Sequence, residues 1–145
     1  MEDAVFVGSC AGIFYAFNKA TGEVRWSYDI RKDGKQISFH GNPLIVDDMI
    51  LIGTDHSCVP DGLGHVYAFD IKTGKVRWKY KTTSVPTDIV RIGQNVYFGS
   101  FQDNWYALKL RTGPVNDESR VIELNCGAIS LKLPLIIMLA GVGMW

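Results

Sequence analysis

Hydrophobic and polar residues alternate with a period of two along several short stretches of the chain. HVYAFD (65–70) and KVRWKY (75–80) show this alternation, and PLIVD (43–47) and MILIGT (49–54) form a more apolar pair. Runs of β-branched and aromatic residues with turn residues between them are typical of β-strands. Helical spacing fits none of these stretches over a useful length. The pattern therefore predicts an all-β protein.

One arrangement of strand, turn and strand recurs along the chain. AFNKATGEVRW (16–26) and AFDIKTGKVRW (68–78) are near-copies, and ALKLRTGPVND (107–117) begins in the same way. The Tyr-Ala pairs of the three copies begin at residues 15, 67 and 106, which are 52 and 39 residues apart. Two insertions in the second unit, within 29–41 and 55–65, account for the difference in spacing.

A repeat of about 39 residues that contains four short strands has the size of a β-propeller blade. Residues 1–113 are therefore predicted to form a partial β-propeller of about two and a half four-stranded antiparallel blades. The third copy departs from the pattern at Lys109 and Asp117, where the other copies have Asn or Asp and tryptophan. Residues 114–145 are predicted to be an atypical apolar tail outside the propeller, and a truncated or frame-disrupted reading frame is the hypothesis for this change.

The two complete turns share five residue types, and each type has a predicted role. The Asn or Asp side chain can accept hydrogen bonds from nearby backbone N–H groups, and the glycine supplies a positive φ. The indole, which follows on the outermost strand, is expected to bury about 200 Å² against the neighbouring blade. The small alanine leaves room for that ring. The docking residues are Ala16, Asn18, Thr21, Gly22 and Trp26 in the first turn, and Ala68, Asp70, Thr73, Gly74 and Trp78 in the second.

This turn resembles the tryptophan-docking motif of propellers similar to those of pyrroloquinoline quinone (PQQ) dehydrogenases. The same repeat occurs in the propeller of the bacterial outer-membrane assembly machinery, which binds no quinone. The resemblance covers roughly residues 4–113 and implies a PQQ-like propeller whose intact parent protein works in the periplasm or outside the cell. PQQ and calcium are implied only for a parent that is a dehydrogenase. The family's vicinal cysteine pair does not occur in this sequence, and no Asp matches its catalytic base.

Both insertions fall in loops that emerge on one side of a propeller, the side on which the family tends to bind ligands and partners. We call this surface, built from residues 29–41 and 55–65, the loop face. Its candidate binding residues are His40, Asp55, His56 and Asp61. Zinc binding by the His and Cys residues of 55–65 is conceivable, but a polar loop with a Pro60-Asp61-Gly62 turn is favoured because no second ligand pair has the necessary spacing. His40 precedes an inner strand and could face the central channel, but the favoured interpretation is a loop residue ahead of a turn built by Gly41, Asn42 and Pro43.

Composition excludes some partners and leaves others open. Fifteen basic residues balance fifteen acidic ones, so nothing in the net charge supports a nucleic-acid partner. The three cysteines are odd in number and far apart, which predicts no disulfide framework. The amino terminus, MEDAVFVGS, has no signal-peptide pattern, and the apolar segment 133–145 is shorter than the about 20 residues of a membrane-spanning helix.

No catalytic constellation is found, so the leading hypothesis is a non-catalytic binding or scaffold fragment. It would engage a partner or ligand through the loop face, and the expected partners are another protein or further propeller blades. The alternative is a fragment of a PQQ-dependent quinoprotein dehydrogenase whose catalytic residues lie outside this chain. An incomplete ring leaves apolar blade faces and a strand edge uncovered, so self-association of the isolated chain is expected.

Overall fold

A computed structural model describes residues 3–34, 38–55, 64–82, 84–100, 105–110 and 122–123. These residues form short β-strands and one 3₁₀ helix, Ile30–Asp33. The strands are β1 (Ala4–Gly8), β2 (Ile13–Asn18), β3 (Val24–Asp29), β4 (Ser38–Val46), β5 (Met49–Asp55), β6 (His65–Asp70), β7 (Val76–Lys81), β8 (Val90–Ile92), β9 (Asn95–Gly99), β10 (Trp105–Lys109) and β11 (Ile122–Glu123).

The strands form three antiparallel sheets in which neighbours in sequence are neighbours in space. Blade 1 is the sheet β1-β2-β3, blade 2 is β4-β5-β6-β7, and blade 3 is β8-β9-β10-β11. The prediction of an all-β, partial propeller is confirmed. Strand β11 pairs with β10 at Leu108 and Lys109, and it lies after residue 113, where the propeller was predicted to end. The division of the chain at residue 113 stays a prediction.

Two hydrophobic clusters fill the spaces between the blades. Alternation along each strand gives a sheet two apolar faces, and the two faces of blade 2 pack on different neighbours, blade 1 and blade 3. The cluster between blades 1 and 2 contains the buried residues Phe14, Ile30, Phe39, Ile50, Ile52, Tyr67, Phe69 and Ile71. The cluster between blades 2 and 3 contains Val46, Leu51, Val66, Ala68, Ile89, Val96, Phe98, Leu108 and Leu110. Each fully buried aliphatic or Phe side chain contributes about 1.5–3 kcal/mol as an upper estimate.

Gly8, at the end of β1, and Gly53, near the end of β5, each lie directly beneath the chain entering the next blade. A Cβ on Gly8 would lie 2.6 Å from Cβ of Phe39, and a Cβ on Gly53 would lie 2.7 Å from Cγ of Pro86. Real Cβ atoms do not approach so closely, so only glycine lets the successive sheets pack at this distance. This close packing explains why the VGS and IGT stretches of the sequence have a glycine at their centre.

Strand β4 begins earlier than the sequence pattern indicates, and this corrects the interpretation of His40. His40 lies inside β4 and pairs with Gly53, whereas a loop position ahead of a turn was expected. The register shifts between His40 and Leu44, so the segment expected to turn is an irregularity within the strand. Gly41 has φ 79°, and the Asn42 N–H donates to Asp88 Oδ1 at 2.9 Å, which satisfies a backbone donor outside the ladder.

Within the described residues, no helix has the length and the apolar character needed to cross a membrane.

Candidate functional site

The second turn is held by the side chain of Asp70. Its Oδ1 accepts hydrogen bonds from the backbone N–H groups of Lys72 and Thr73, at 3.1 and 2.9 Å, and from the Thr73 hydroxyl at 2.9 Å. The backbone turn closes with Gly74 N–H donating to the Asp70 carbonyl, and Gly74 has φ 68°. This arrangement is an Asx-type turn with glycine in the left-handed region.

The first turn has the same geometry with an amide in place of the carboxylate. Asn18 Oδ1 accepts from the N–H groups of Ala20 and Thr21 at 2.9 and 3.3 Å, and Gly22 has φ 72°. The Thr21 hydroxyl accepts from the Glu23 N–H at 3.3 Å. The short polar side chain, the threonine and the glycine therefore make the same local hydrogen bonds with the backbone in both copies.

Trp26 extends from blade 1 onto the turn of blade 2. Its indole N–H donates to the Ile71 carbonyl at 3.2 Å, and its ring covers Gly74, where a Cβ would lie 2.5 Å from the indole carbon Cδ2. Phe6 and Phe14 flank the ring, with centroids 5.9 and 5.7 Å away. Trp26 thus combines a hydrogen bond across the junction with aromatic packing.

Trp78 lies at the next junction. It is half-buried and packs against the cluster between blades 2 and 3. The alanines sit directly across the ladder from the indoles, Ala16 opposite Trp26 and Ala68 opposite Trp78, and both alanines are fully buried. The small alanine side chains on β2 and β6 leave room for the indole rings on the adjacent strands.

The arginine before each tryptophan binds the aspartate that precedes an inner strand of its blade, β1 in blade 1 and β5 in blade 2. Arg77 donates to the carboxylates of both Asp70 and Asp48, the latter at 2.7 Å. Burial acts to raise the pKa of Asp70, but hydrogen bonds from Arg77 and from the turn outweigh it and lower the pKa to about 2. In blade 1, Arg25 and Asp3 form the corresponding pair at 2.6 Å.

The base of the first insertion is fixed by the 3₁₀ helix Ile30–Asp33. Asp29 caps it by accepting from the Arg31 N–H at 3.0 Å, and hydrogen bonds from the Arg31 side chain lower the pKa of Asp29 to about 2. Ile30 is fully buried in the cluster between blades 1 and 2. The insertion therefore starts from an anchored segment.

Asp33 joins the insertion to both blades through one oxygen atom. Its Oδ2 accepts from the hydroxyl of Tyr28, in blade 1, at 2.8 Å and from that of Tyr67, in blade 2, at 2.9 Å. Burial, and then the hydrogen bond to Asp33, raise the pKa of Tyr28. The Tyr28 phenol therefore stays protonated, as a hydrogen-bond donor, across the ordinary pH range.

Strand register brings the two insertions to the same end of blade 2. Ser38, within the first inserted range, is opposite Asp55, the first residue of the second range, across the β4-β5 ladder. Arg31 is exposed on this loop face, and His40 and Asp55 are half-buried. His56 and Asp61 lie outside the described residues.

Calcium does not fit the described residues of this chain. Within the described ranges, no three His, Cys, Asp or Glu side chains lie close enough together to hold a metal ion. A shallow cleft of about 270 Å³, lined by Phe6, Arg25 and Lys72 among others, lies at the turn end of blades 1 and 2, opposite the loop face.

Three antiparallel sheets stacked through apolar faces, with repeated Asx turns and an indole crossing a junction, define a β-propeller segment. The chain belongs to the PQQ-like propeller family, since the PQQ_2 family model, described as outer membrane protein assembly factor BamB, matches residues 1–129. The expected family resemblance is confirmed.

Known proteins similar to this chain include enzymes and an assembly factor. Over 87 residues, 59% of the chain, it is 34% identical to quinohemoprotein alcohol dehydrogenase ADH IIB of Pseudomonas putida. The chain spans only 12% of the length of that relative.

Two solved structures share the fold. The BamB structure from Moraxella catarrhalis has a TM-score of 0.57 and 21% identity, over 74% of this chain and 30% of that chain. The quinohemoprotein alcohol dehydrogenase ADHIIG from Pseudomonas putida HK5 has a TM-score of 0.63 and 20% identity, over 79% and 25%. At these identities the likeness concerns the fold.

Sequence reasoning did not find several residues that shape the site. The ion pairs have a signal, because Arg precedes Trp in both turns and Asp3 and Asp48 precede equivalent strands. Asp33 has no such signal, since its two donors come from different blades and are brought together only by packing.

Proposed function

We propose that the chain is a non-catalytic binding unit of a PQQ-like propeller protein and engages a protein partner through the loop face. The observation that carries this proposal is the pairing of Ser38 with Asp55, which sets both insertions side by side at one end of blade 2. Asp33 and the buried Ile30 support it further, because they fix the base of the first insertion on both blades. A fixed base reduces the entropy that is lost when a loop binds.

The test compares two charge reversals at opposite ends of the blades. Lys32→Glu changes the loop face, and Lys75→Glu changes the turn end, where Lys75 is also exposed. A partner isolated from a periplasmic extract and then purified should bind at least tenfold more weakly to Lys32→Glu, while Lys75→Glu should bind as the original chain does. Equal binding by both variants, measured by calorimetry, would refute the loop-face proposal.

A second candidate function is that of a segment of a quinoprotein dehydrogenase. The 34% identity to the quinohemoprotein alcohol dehydrogenase favours it, whereas the described residues contain no group of His, Cys, Asp or Glu side chains that could hold a metal ion. We expect PQQ with Ca²⁺ to leave the chain's thermal unfolding midpoint unchanged. A midpoint that rises with PQQ concentration, together with alcohol-dependent dye reduction by a longer parent protein, would favour the enzyme instead.

We also propose that the two repeated turns act as docking elements between blades. The indole hydrogen bond of Trp26 and its cover over Gly74 support this role. For the parent protein we propose a periplasmic or extracellular location, in keeping with a family described by an outer-membrane assembly factor. Fractionation of cells that express the parent protein tests the location.

A further inference from the structure

Exposed apolar side chains are concentrated on the first and last blades. Among the described residues, seven large hydrophobic side chains are exposed, and six of them belong to blades 1 and 3. They are Val5 (43%), Val7 (44%) and Val24 (53%) in blade 1, and Val90 (57%), Ile92 (46%) and Trp105 (75%) in blade 3. The seventh, Ile45, lies in blade 2.

Strand register places the exposed residues of blade 1 on a single face. Residues directly opposite each other in adjacent strands point to the same side of a sheet. Val5 is opposite Phe17, Phe17 is opposite Val24, and Val7 is opposite Tyr15. We call this surface the receiving face, and it consists of Val5, Val7, Tyr15, Phe17 and Val24.

The exposed residues of blade 3 also share a face. Val90 is opposite Tyr97, which is opposite Ala107. Ile92 and Trp105 lie two residues from Val90 and Ala107, so they point to the same side. We call this surface the donating face, and it consists of Val90, Ile92, Tyr97, Trp105 and Ala107.

The junction between blades 1 and 2 shows what covers a receiving face. By register, Val5 and Val7 correspond to Ile50 and Ile52 of blade 2. Ile50 and Ile52 are fully buried in the cluster that also contains Phe14 of blade 1. The receiving face of a blade is therefore covered by the donating face of another blade.

The junction between blades 2 and 3 shows the same rule from the other side. Val90 and Ile92 correspond to Leu44 and Val46 of blade 2, and Val46 is fully buried against blade 3. Trp105 corresponds to Val66, which is also fully buried there. The donating face of blade 3 thus has the pattern of a surface that covers a receiving face.

We propose that a second copy of this chain docks head to tail, with the donating face of one copy on the receiving face of the next. The donating face and the receiving face should be complementary, because the equivalent faces of the same repeat already pack together at the two junctions within the chain. Gly22 has open space around its α-carbon, whereas the equivalent Gly74 is covered by Trp26, so the first turn has room for an incoming side chain.

Trp105 is the anchor of this contact. The third copy has Asp117 where the docking tryptophan occurs in the others. The tryptophan of the donating face is instead Trp105, at the start of β10. Tryptophan is enriched among the few interface residues that dominate binding energy. Its exposure of 75% is the largest among the exposed hydrophobic residues.

The two surfaces differ, so the contact is heterologous and every added copy leaves one face of each kind free. Light scattering coupled to gel filtration should show a mass that grows with concentration over roughly 1–100 μM, the range of moderate interfaces. Trp105→Ala should weaken association by about 30-fold. Ile45→Ala, an equally apolar change at an exposed site outside both faces, should leave association unchanged.

A mixing experiment tests the head-to-tail geometry directly. Val7→Lys blocks the receiving face and Trp105→Lys blocks the donating face, so each variant alone should be a monomer. Their equimolar mixture should form a heterodimer and nothing larger, since one intact face of each kind remains. Circular dichroism verifies that each variant is folded, and Val5→Lys replaces Val7→Lys if that variant does not fold.

A monomeric original chain at 100 μM, or a mixture that stays monomeric, would overturn the proposal. Lys32→Glu should not alter the oligomeric state, so this inference and the loop-face proposal can fail separately.

Discussion

At the scale of single residues, two glycines in equivalent turns have the same backbone and different surroundings. Gly22 and Gly74 have φ values of 72° and 68°, so both occupy the left-handed region that other residues adopt at a cost. A Cβ added to Gly22 would meet nothing within 4 Å, whereas Gly74 lies beneath Trp26. One residue type therefore serves backbone geometry alone at one turn, and geometry and close packing at the other.

Alanine at these two positions should separate the two contributions. Gly22→Ala should lower the free energy of unfolding by about 1 kcal/mol, which is the cost of the positive φ. Gly74→Ala should cost about 2 kcal/mol more, because the new methyl group would displace the indole from its position. Urea denaturation of both variants measures the difference, and equal losses would contradict the docking role of Trp26.

Asp70 makes the stability of the fold depend on pH in acid. Its folded pKa of about 2 lies below the ordinary 3.8, so its stabilisation is present above pH 4 and is lost as the pH falls towards 2. The shift corresponds to roughly 2 kcal/mol as an upper value. Asp70→Asn should therefore destabilise the chain at pH 7 and make little difference at pH 2.

The control for this prediction is Asp47→Asn, which removes the exposed pair with Arg91. Exposed pairs contribute about 0–1 kcal/mol, so this change should be small at both pH values. Urea midpoints at pH 7 and pH 2 provide the comparison. A loss at pH 2 as large as that at pH 7 would show that Asp70 acts through something other than its charge.

At the scale of elements, the 3₁₀ helix connects two blades through hydroxyl groups and a single carboxylate. Asp33 accepts hydrogen bonds from Tyr28 and Tyr67, and Ile30, the first residue of the helix, is fully buried. Because the helix has only four residues, its own hydrogen bonds cannot hold it, and its position depends on these tertiary contacts. The loop face is therefore only as well defined as this attachment.

Removing one hydroxyl should loosen the attachment without changing the core. Tyr67→Phe should cost about 1.5–3 kcal/mol, the range for a hydrogen bond to a charged group, and should speed amide hydrogen exchange in residues 30–34. Tyr97→Phe removes a bonded hydroxyl from blade 3, away from this helix, and is the control that should leave this exchange unchanged. Unchanged exchange in Tyr67→Phe would remove Asp33 as the attachment point.

At the scale of the whole molecule, the three described sheets bury two junctions, and the described outer faces of blades 1 and 3 carry exposed hydrophobic side chains. Because the blades are copies of one repeat, the uncovered faces of blades 1 and 3 have the same residue pattern as the faces that are buried at the two junctions. Such faces favour association with another blade over exposure to water. This accounts for the concentration of exposed hydrophobic residues on the terminal blades.

The sequence alone determined the all-β class, the blade-sized repeat and the composition of the turns. These properties depend on period-two alternation and on residues close together in the chain, such as Asn18 with Gly22. The boundaries of β4 could not be read in this way, because its irregular segment is stabilised by Asp88, 46 residues away from Asn42.

Only the tertiary structure decided which faces are covered and which side chains meet across a junction. Trp26 finds its acceptor 45 residues away at Ile71, and Asp33 gathers donors from two sheets. Chemically similar residues such as Val7 and Ile52 differ in burial because one blade has a neighbour on that side and the other does not. Local pattern fixes a strand and its two faces, whereas burial depends on what packs against each face.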